Sequence, residues 1–153
     1  MSGNSNQSKN VARVLDDAAA CSLKMRVEEI IPVFDEAEAA CSKLISSEDQ
    51  RLEIKRRVAE WKMRLFCDRD APFNVVKILH ANAVELGYTN LEIEGAIEIY
   101  FAQYCERQNK MYEARRTLLQ LHDKLERELK TKNLNIYLHF KNVSEEILSR
   151  IGV

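Results

Sequence analysis

The chain has 153 residues, 46% of them hydrophobic and 31% charged, with a formal net charge of −1. That length suits one domain able to bury its own core without a metal or a disulfide, and the near-neutral balance excludes a strongly basic whole-protein field for nucleic acid. Four glycines and two prolines are too few for a many-turned β fold, and none falls in the GxGxxG or GxxxxGK spacing of a phosphate-cradling loop.

Residues 1–9 form a Ser/Asn/Gln-rich stretch with no apolar region, read as a disordered polar tail without a secretory signal. A single helical domain is expected over 10–153. A short amphipathic helix from Asn10 to Ser22 places Val11, Val14, Leu15, Ala18 and Cys21 on one face. The next helix, from Leu23 to Ile45, carries a stripe of Val27, Ile30, Phe34, Ala37, Cys41 and Leu44, with a kink expected at Pro32. Ser47 and Gln50 have capping-box spacing and open a third helix with Ile54, Val58, Trp61 and Leu65. Asp70 and Pro72 mark the start of a fourth, carrying Phe73, Val76, Leu79, Ala83 and Leu86 and ended by Gly87.

Thr89 and Glu92 again have capping-box spacing. The fifth helix, with Ile93, Ala96, Ile97, Ile99, Tyr100, Phe101, Ala102, Tyr104 and Cys105, is apolar nearly all round and should be central. Gln108 and Asn109 form a turn; a sixth helix follows with Met111, Ala114, Leu118, Leu121, Leu125 and Leu129. After Lys132 and Asn133 a seventh carries Ile136, Phe140, Val143, Ile147 and Ile151. The fold class is therefore all-α: stacked antiparallel helical hairpins, as a solenoid or a compact bundle. The starts at Ser47, Thr89 and Asn133 lie about forty residues apart, the spacing of helical-pair repeats. Cys67-Asp68-Arg69 and Cys105-Glu106-Arg107 echo one another.

Ala102, Ala114, Leu118 and Leu121 resemble the small and apolar positions of a tetratricopeptide repeat, while Glu98 and Glu126 stand where that family has tryptophan and proline. Val27 to Phe101, through Ile54-Lys55-Arg56-Arg57-Val58 and the apolar helix to Leu86, is similar in pattern to another helical domain. That domain is shared by the steroid receptor RNA activator protein and the C-terminal region of the large outer-coat subunit of secretory vesicles. Both resemblances imply a helical interaction module, and neither implies catalysis.

Cys21, Cys41, Cys67 and Cys105 show no CxxC, and His80, His122 and His139 form no HxxxH or ExxH. The thiols read as reduced and mostly buried, and no catalytic residue, cofactor or metal site is expected. His122 and Glu126 share a helix face and read as a solvated pair. Bases cluster on the third helix (Arg51, Lys55, Arg56, Arg57, Lys62, Arg64) and on the sixth. Acids stand among them at helical spacing: Glu53 with Arg57, Glu60 with Arg64, Asp123 with Arg127, Glu126 with Lys130. Such pairing marks solvated helix faces more than a nucleic-acid surface. The fifth helix has four acids against Arg107, whereas Lys110 to Lys132 has seven bases against four acids, so the two suit each other as neighbours.

These readings point to a non-enzymatic protein–protein interaction module, a scaffold or complex subunit, cytoplasmic or nuclear. The alternative is a nuclear, nucleic-acid-associated coregulatory module. No apolar run approaches the ~20 residues that span a bilayer, so no membrane partner is expected. The expected partner surface, for another protein or a second copy, is on the seventh helix. There Tyr137 and Leu148 lie beside the main stripe with Lys141, Ser144 and Glu145, and Leu134 and Leu138 add apolar area. Either the N-terminal helix folds over this face or another chain does.

Overall fold

The computed structural model describes residues 2–45, 47–131 and 135–151. Lys132, Asn133 and Leu134 of the expected last connection lie outside the described residues. The chain is all-α, with no strand among the described residues: α1 Ser2–Ser22, α2 Val27–Lys43, α3 Glu48–Asp68, α4 Phe73–Leu86, α5 Leu91–Arg107, α6 Met111–Thr131 and α7 Asn135–Ile151. It divides into two compact units, Met1–Thr89 and Asn90–Val153, where the sequence reading drew one domain from residue 10. The polar stretch read as a disordered tail is helical from Ser2. Once a helix is nucleated, each further residue adds a hydrogen bond, so extension tolerates poor helix formers.

In the first unit, α1, α2 and α3 pack on one another and α4 packs on α3. The core takes Leu15 from α1, Ile30, Phe34 and Cys41 from α2, and Ile54, Val58, Met63 and Phe66 from α3. Helix α2 continues through Pro32. Two arginines of this unit hold the carbonyls of helix ends and turns. Arg69 donates to the carbonyls of Ser22 and Met25 in the α1–α2 turn. The Arg56 Nε donates to the Leu86 carbonyl at 2.8 Å, satisfying an orphan acceptor at the end of α4.

The expected caps are met in part. Asn90, not Thr89, caps α5, its Oδ1 accepting from Ile93 N at 2.9 Å. Ser47 stands at the α3 N-cap without a side-chain cap bond. Pro72 holds the N-cap position of α4, and Asp70 lies just past the Arg69 C-cap of α3. Asp70 takes φ 49°, as Asn109 takes φ 62° after α5. Both ends close the same way: Ala71 N bonds Phe66 O and Asp70 N bonds Cys67 O, while Lys110 N bonds Cys105 O and Asn109 N bonds Glu106 O. Asp and Asn tolerate the left-handed region better than other non-glycine residues, so each can replace the usual glycine of this helix ending. The Cys-acid-Arg echo lies at these two helix ends one residue out of register, since Asp70 directly follows Arg69 whereas Asn109 stands two positions past Arg107.

In the second unit, α5, α6 and α7 pack on one another in all three pairings. Ile99, Ala102, Leu118, Leu121, Leu125, Tyr137, Phe140, Ile147 and Leu148 form one apolar cluster. Ala102 and Ala114 are fully buried, one on α5 and one on α6. The opposite charges of these two helices meet where Lys124 Nζ lies 2.7 Å from Glu94 Oε1. Arg150 of α7 grips Glu106 of α5 with two bonds of 2.8 and 2.9 Å. Solvent screens pairs of this kind, so they set helix register more than stability.

Candidate functional site

The basic cluster on α3 is largely engaged within its own unit. Arg51 pairs with Glu48 at 3.3 Å, Arg57 with Glu53 at 3.0 Å and Lys62 with Asp35 at 3.2 Å. Arg64 stacks over Trp61 at 5.1 Å, and Arg56 is held by Leu86. Glu60 is engaged with Thr89. It is buried, and its carboxylate accepts from Thr89 N at 2.7 Å and from Thr89 Oγ1 at 2.9 Å. Burial pushes the Glu60 carboxyl above the ordinary carboxylate range, against the lowering effect of the two Thr89 bonds and of Arg57 and Arg56.

The thiols are poor nucleophiles where they are buried. Desolvation, with Glu113 and Glu98 nearby, pushes Cys105 up to about 12. Burial and Glu38 push Cys41 up. Cys67 is buried, and Cys21 is exposed.

On α6, His122 turns to α7, its Nε2 standing 2.9 Å from Glu145 Oε1. That hydrogen bond, more than the charge of His122, lowers the Glu145 carboxyl. Glu126 meets Lys141 at 3.5 Å. His122, Asp123 and Glu126 bring one ligand atom each within 4.8 Å of the others, a group that could hold a metal ion on the exposed side of α6. The Lys141 ammonium beside Glu126 and the Glu145 bond to His122 compete with that use.

The expected partner surface on α7 is redrawn by the structure. Tyr137 and Leu148 are buried in the apolar cluster, because α7 packs on α5 as well as α6 and so has two covered faces. Its inward face runs through Ser144, which is fully buried. The Ser144 Oγ donates to the Phe140 carbonyl at 2.9 Å, so the hydroxyl is satisfied on its own helix and a serine can occupy the packed face. Of the four expected site residues, Leu138 is exposed at 45%, and Lys141 is bound to Glu126.

The structure opens a different apolar site nearby. Ala96, Ile99 and Tyr100 of α5 and His139, Phe140 and Val143 of α7 line a groove of about 210 Å³. Its shape depends on Gly95: a Cβ there would fall 2.5 Å from the Phe140 ring, so the bare backbone lets Phe140 press against α5 and form part of the groove lining. Small-molecule pockets run about 300–1,000 Å³, so this volume fits one or two apolar side chains better than a cofactor.

Comparison of the chain with protein-family models, with curated proteins and with solved structures finds no match. The groove itself therefore carries the functional reading. The sequence places Phe140 and Val143 on the main stripe of the seventh helix and Tyr100 within a central helix. Gly95 within α5 is the one sequence signal that could have pointed to a close approach there. No helix among the described residues is long and apolar enough to cross a membrane.

Proposed function

We propose that this chain is a non-enzymatic protein–protein interaction module, a scaffold or a subunit of a larger complex. In this reading it receives apolar side chains of a partner segment in the α5–α7 groove. One observation carries it: an open groove lined by Ile99, Tyr100, Phe140 and Val143 with His139 at its edge, of a size suited to side chains. Amphipathic helices are recognised in this way, by a few apolar anchors seated between helices. Tyr100 adds an apolar body with a polar tip, a common feature of interface anchors.

The basic helices favour nucleic acid less, because most of the α3 cations already have intramolecular partners. A cytoplasmic or nuclear setting goes with this reading.

The test compares quantitative proximity labelling by the parent chain and by Val143→Glu and Ala96→Glu variants. A defined set of proteins should be lost from both variants together, with helix content and cooperative unfolding retained. A partner set unaffected by either substitution would refute the groove assignment. Salt-dependent RNA or DNA binding by the purified chain would support the coregulatory reading instead.

A further inference from the structure

Helix α4 packs on α3 and leaves a broad arc to solvent. Ile78 is 71% exposed and Val84 54%, far above their usual burial, and Ala81 between them is exposed too. Lys77 and Glu85 are also exposed and flank this apolar strip on either side of Ala81. The Lys77 ammonium lies 5.8 Å from the Phe73 ring centre, on its own helix.

At about 100° per residue these five positions fall on one arc of roughly 120°, centred on Ala81. The arrangement is symmetric about that alanine in two respects. Apolar residues stand three positions to each side, Ile78 and Val84. Opposite charges stand four positions to each side, Lys77 and Glu85. A two-fold axis between antiparallel copies of the helix, level with Ala81, places Ile78 of one copy at the height of Val84 of the other. The same axis places Lys77 of one copy at the height of Glu85 of the other, diagonally across the helix–helix plane and within reach of two long side chains, twice. The small side chain at the crossing lets the two backbones approach closely.

We propose that the exposed face of α4 is a homodimer surface, on which a second copy of this chain docks antiparallel about a two-fold axis at Ala81. An isologous contact requires a self-complementary patch, and charge complementarity under the two-fold is what this face supplies. One helix pair buries less than the roughly 1,200 Å² of a stable interface, so the dimer is weak and reversible. The proposal is independent of the α5–α7 groove, and Val143→Glu leaves the dimer intact.

Sedimentation equilibrium of the full chain over rising concentration should show a monomer–dimer equilibrium. Lys77→Glu and Glu85→Lys should each raise the dimer dissociation constant about tenfold, since each reversal turns two attractive pairs repulsive. Mixed in equal amounts, the two variants should form a heterodimer at least as tight as the parent, because every cross pair is then attractive. The two residues lie eight positions apart on one helix, too far for the recovery to arise within a chain. In a Cys21→Ser background, Ala81→Cys should cross-link to itself on oxidation, and Ile78→Cys should not. A parent that stays monomeric at its highest soluble concentration would overturn the proposal. So would a dimer indifferent to both reversals, or a mixture that fails to recover.

Discussion

Gly95→Ala sets two effects of known sign against each other. Within a helix, alanine is favoured over glycine by about 1 kcal/mol. Gly95, however, faces Phe140, and the new Cβ would lie 2.5 Å from its Cδ2, 2.9 Å from Cε2 and 3.1 Å from Cγ. The whole ring would have to shift, and Phe140 is only 8% exposed inside the apolar cluster of its unit. Overpacking of that kind costs about 1–3 kcal/mol, so the net effect is a loss of about 0–2 kcal/mol. The reasoning becomes sharper in a Phe140→Ala background, where the obstructing ring is absent. Phe140→Ala itself should cost about 3–5 kcal/mol, but in that background Gly95→Ala should stabilise by about 1 kcal/mol. The four proteins of this double-mutant cycle can be compared by urea unfolding followed by circular dichroism, with Phe140→Leu as a milder alternative. The expected coupling is about 1–3 kcal/mol. A Gly95→Ala substitution that raises the midpoint equally in both backgrounds would refute the close α5–Phe140 approach.

Ala102→Phe and Ala114→Phe should each cost about 1–3 kcal/mol, since both alanines are fully buried and the added ring has no room; unchanged denaturant midpoints for both would contradict the packing. Glu60 gives a pH dependence. Its folded pKa is raised above the ordinary 4.5, so the folded chain holds the proton more tightly than the unfolded chain. Its contribution is full below 4.5 and is lost as pH rises through the folded value, so the parent should lose stability relative to Glu60→Gln over that window. A pH-independent difference between the two would show that Glu60 titrates normally. Cys21 should react with a thiol reagent in the folded state while Cys41, Cys67 and Cys105 react only after unfolding. Fast labelling of Cys105 in native buffer would contradict its burial.

The order and type of the helices were legible in the sequence because apolar spacing and breakers act locally. The stripe Ile30, Phe34, Ala37, Cys41 is the buried face of α2, and Gly87, at φ 78°, ends α4 as its position suggested. Which polar group serves which partner was decided only in three dimensions. Thr89 has the spacing of a capping residue, yet its hydroxyl and amide go to Glu60, 29 positions earlier, because α3 runs beside the turn that Thr89 occupies. Asn90 takes the cap instead. The candidate site followed the same division. Tyr137 and Leu148 read as an uncovered face because a sequence shows a helix one neighbour at a time. Packing α7 on both α5 and α6 buried them, and it turned Ser144 inward with its hydroxyl satisfied by Phe140. The sequence by itself determined that seven amphipathic helices would bury their apolar stripes. Only the tertiary structure decided which faces met, because a stripe fixes what must leave water but not which neighbour covers it. That choice opened a groove at Ala96 and Val143 and left Ile78 and Val84 of α4 in solvent.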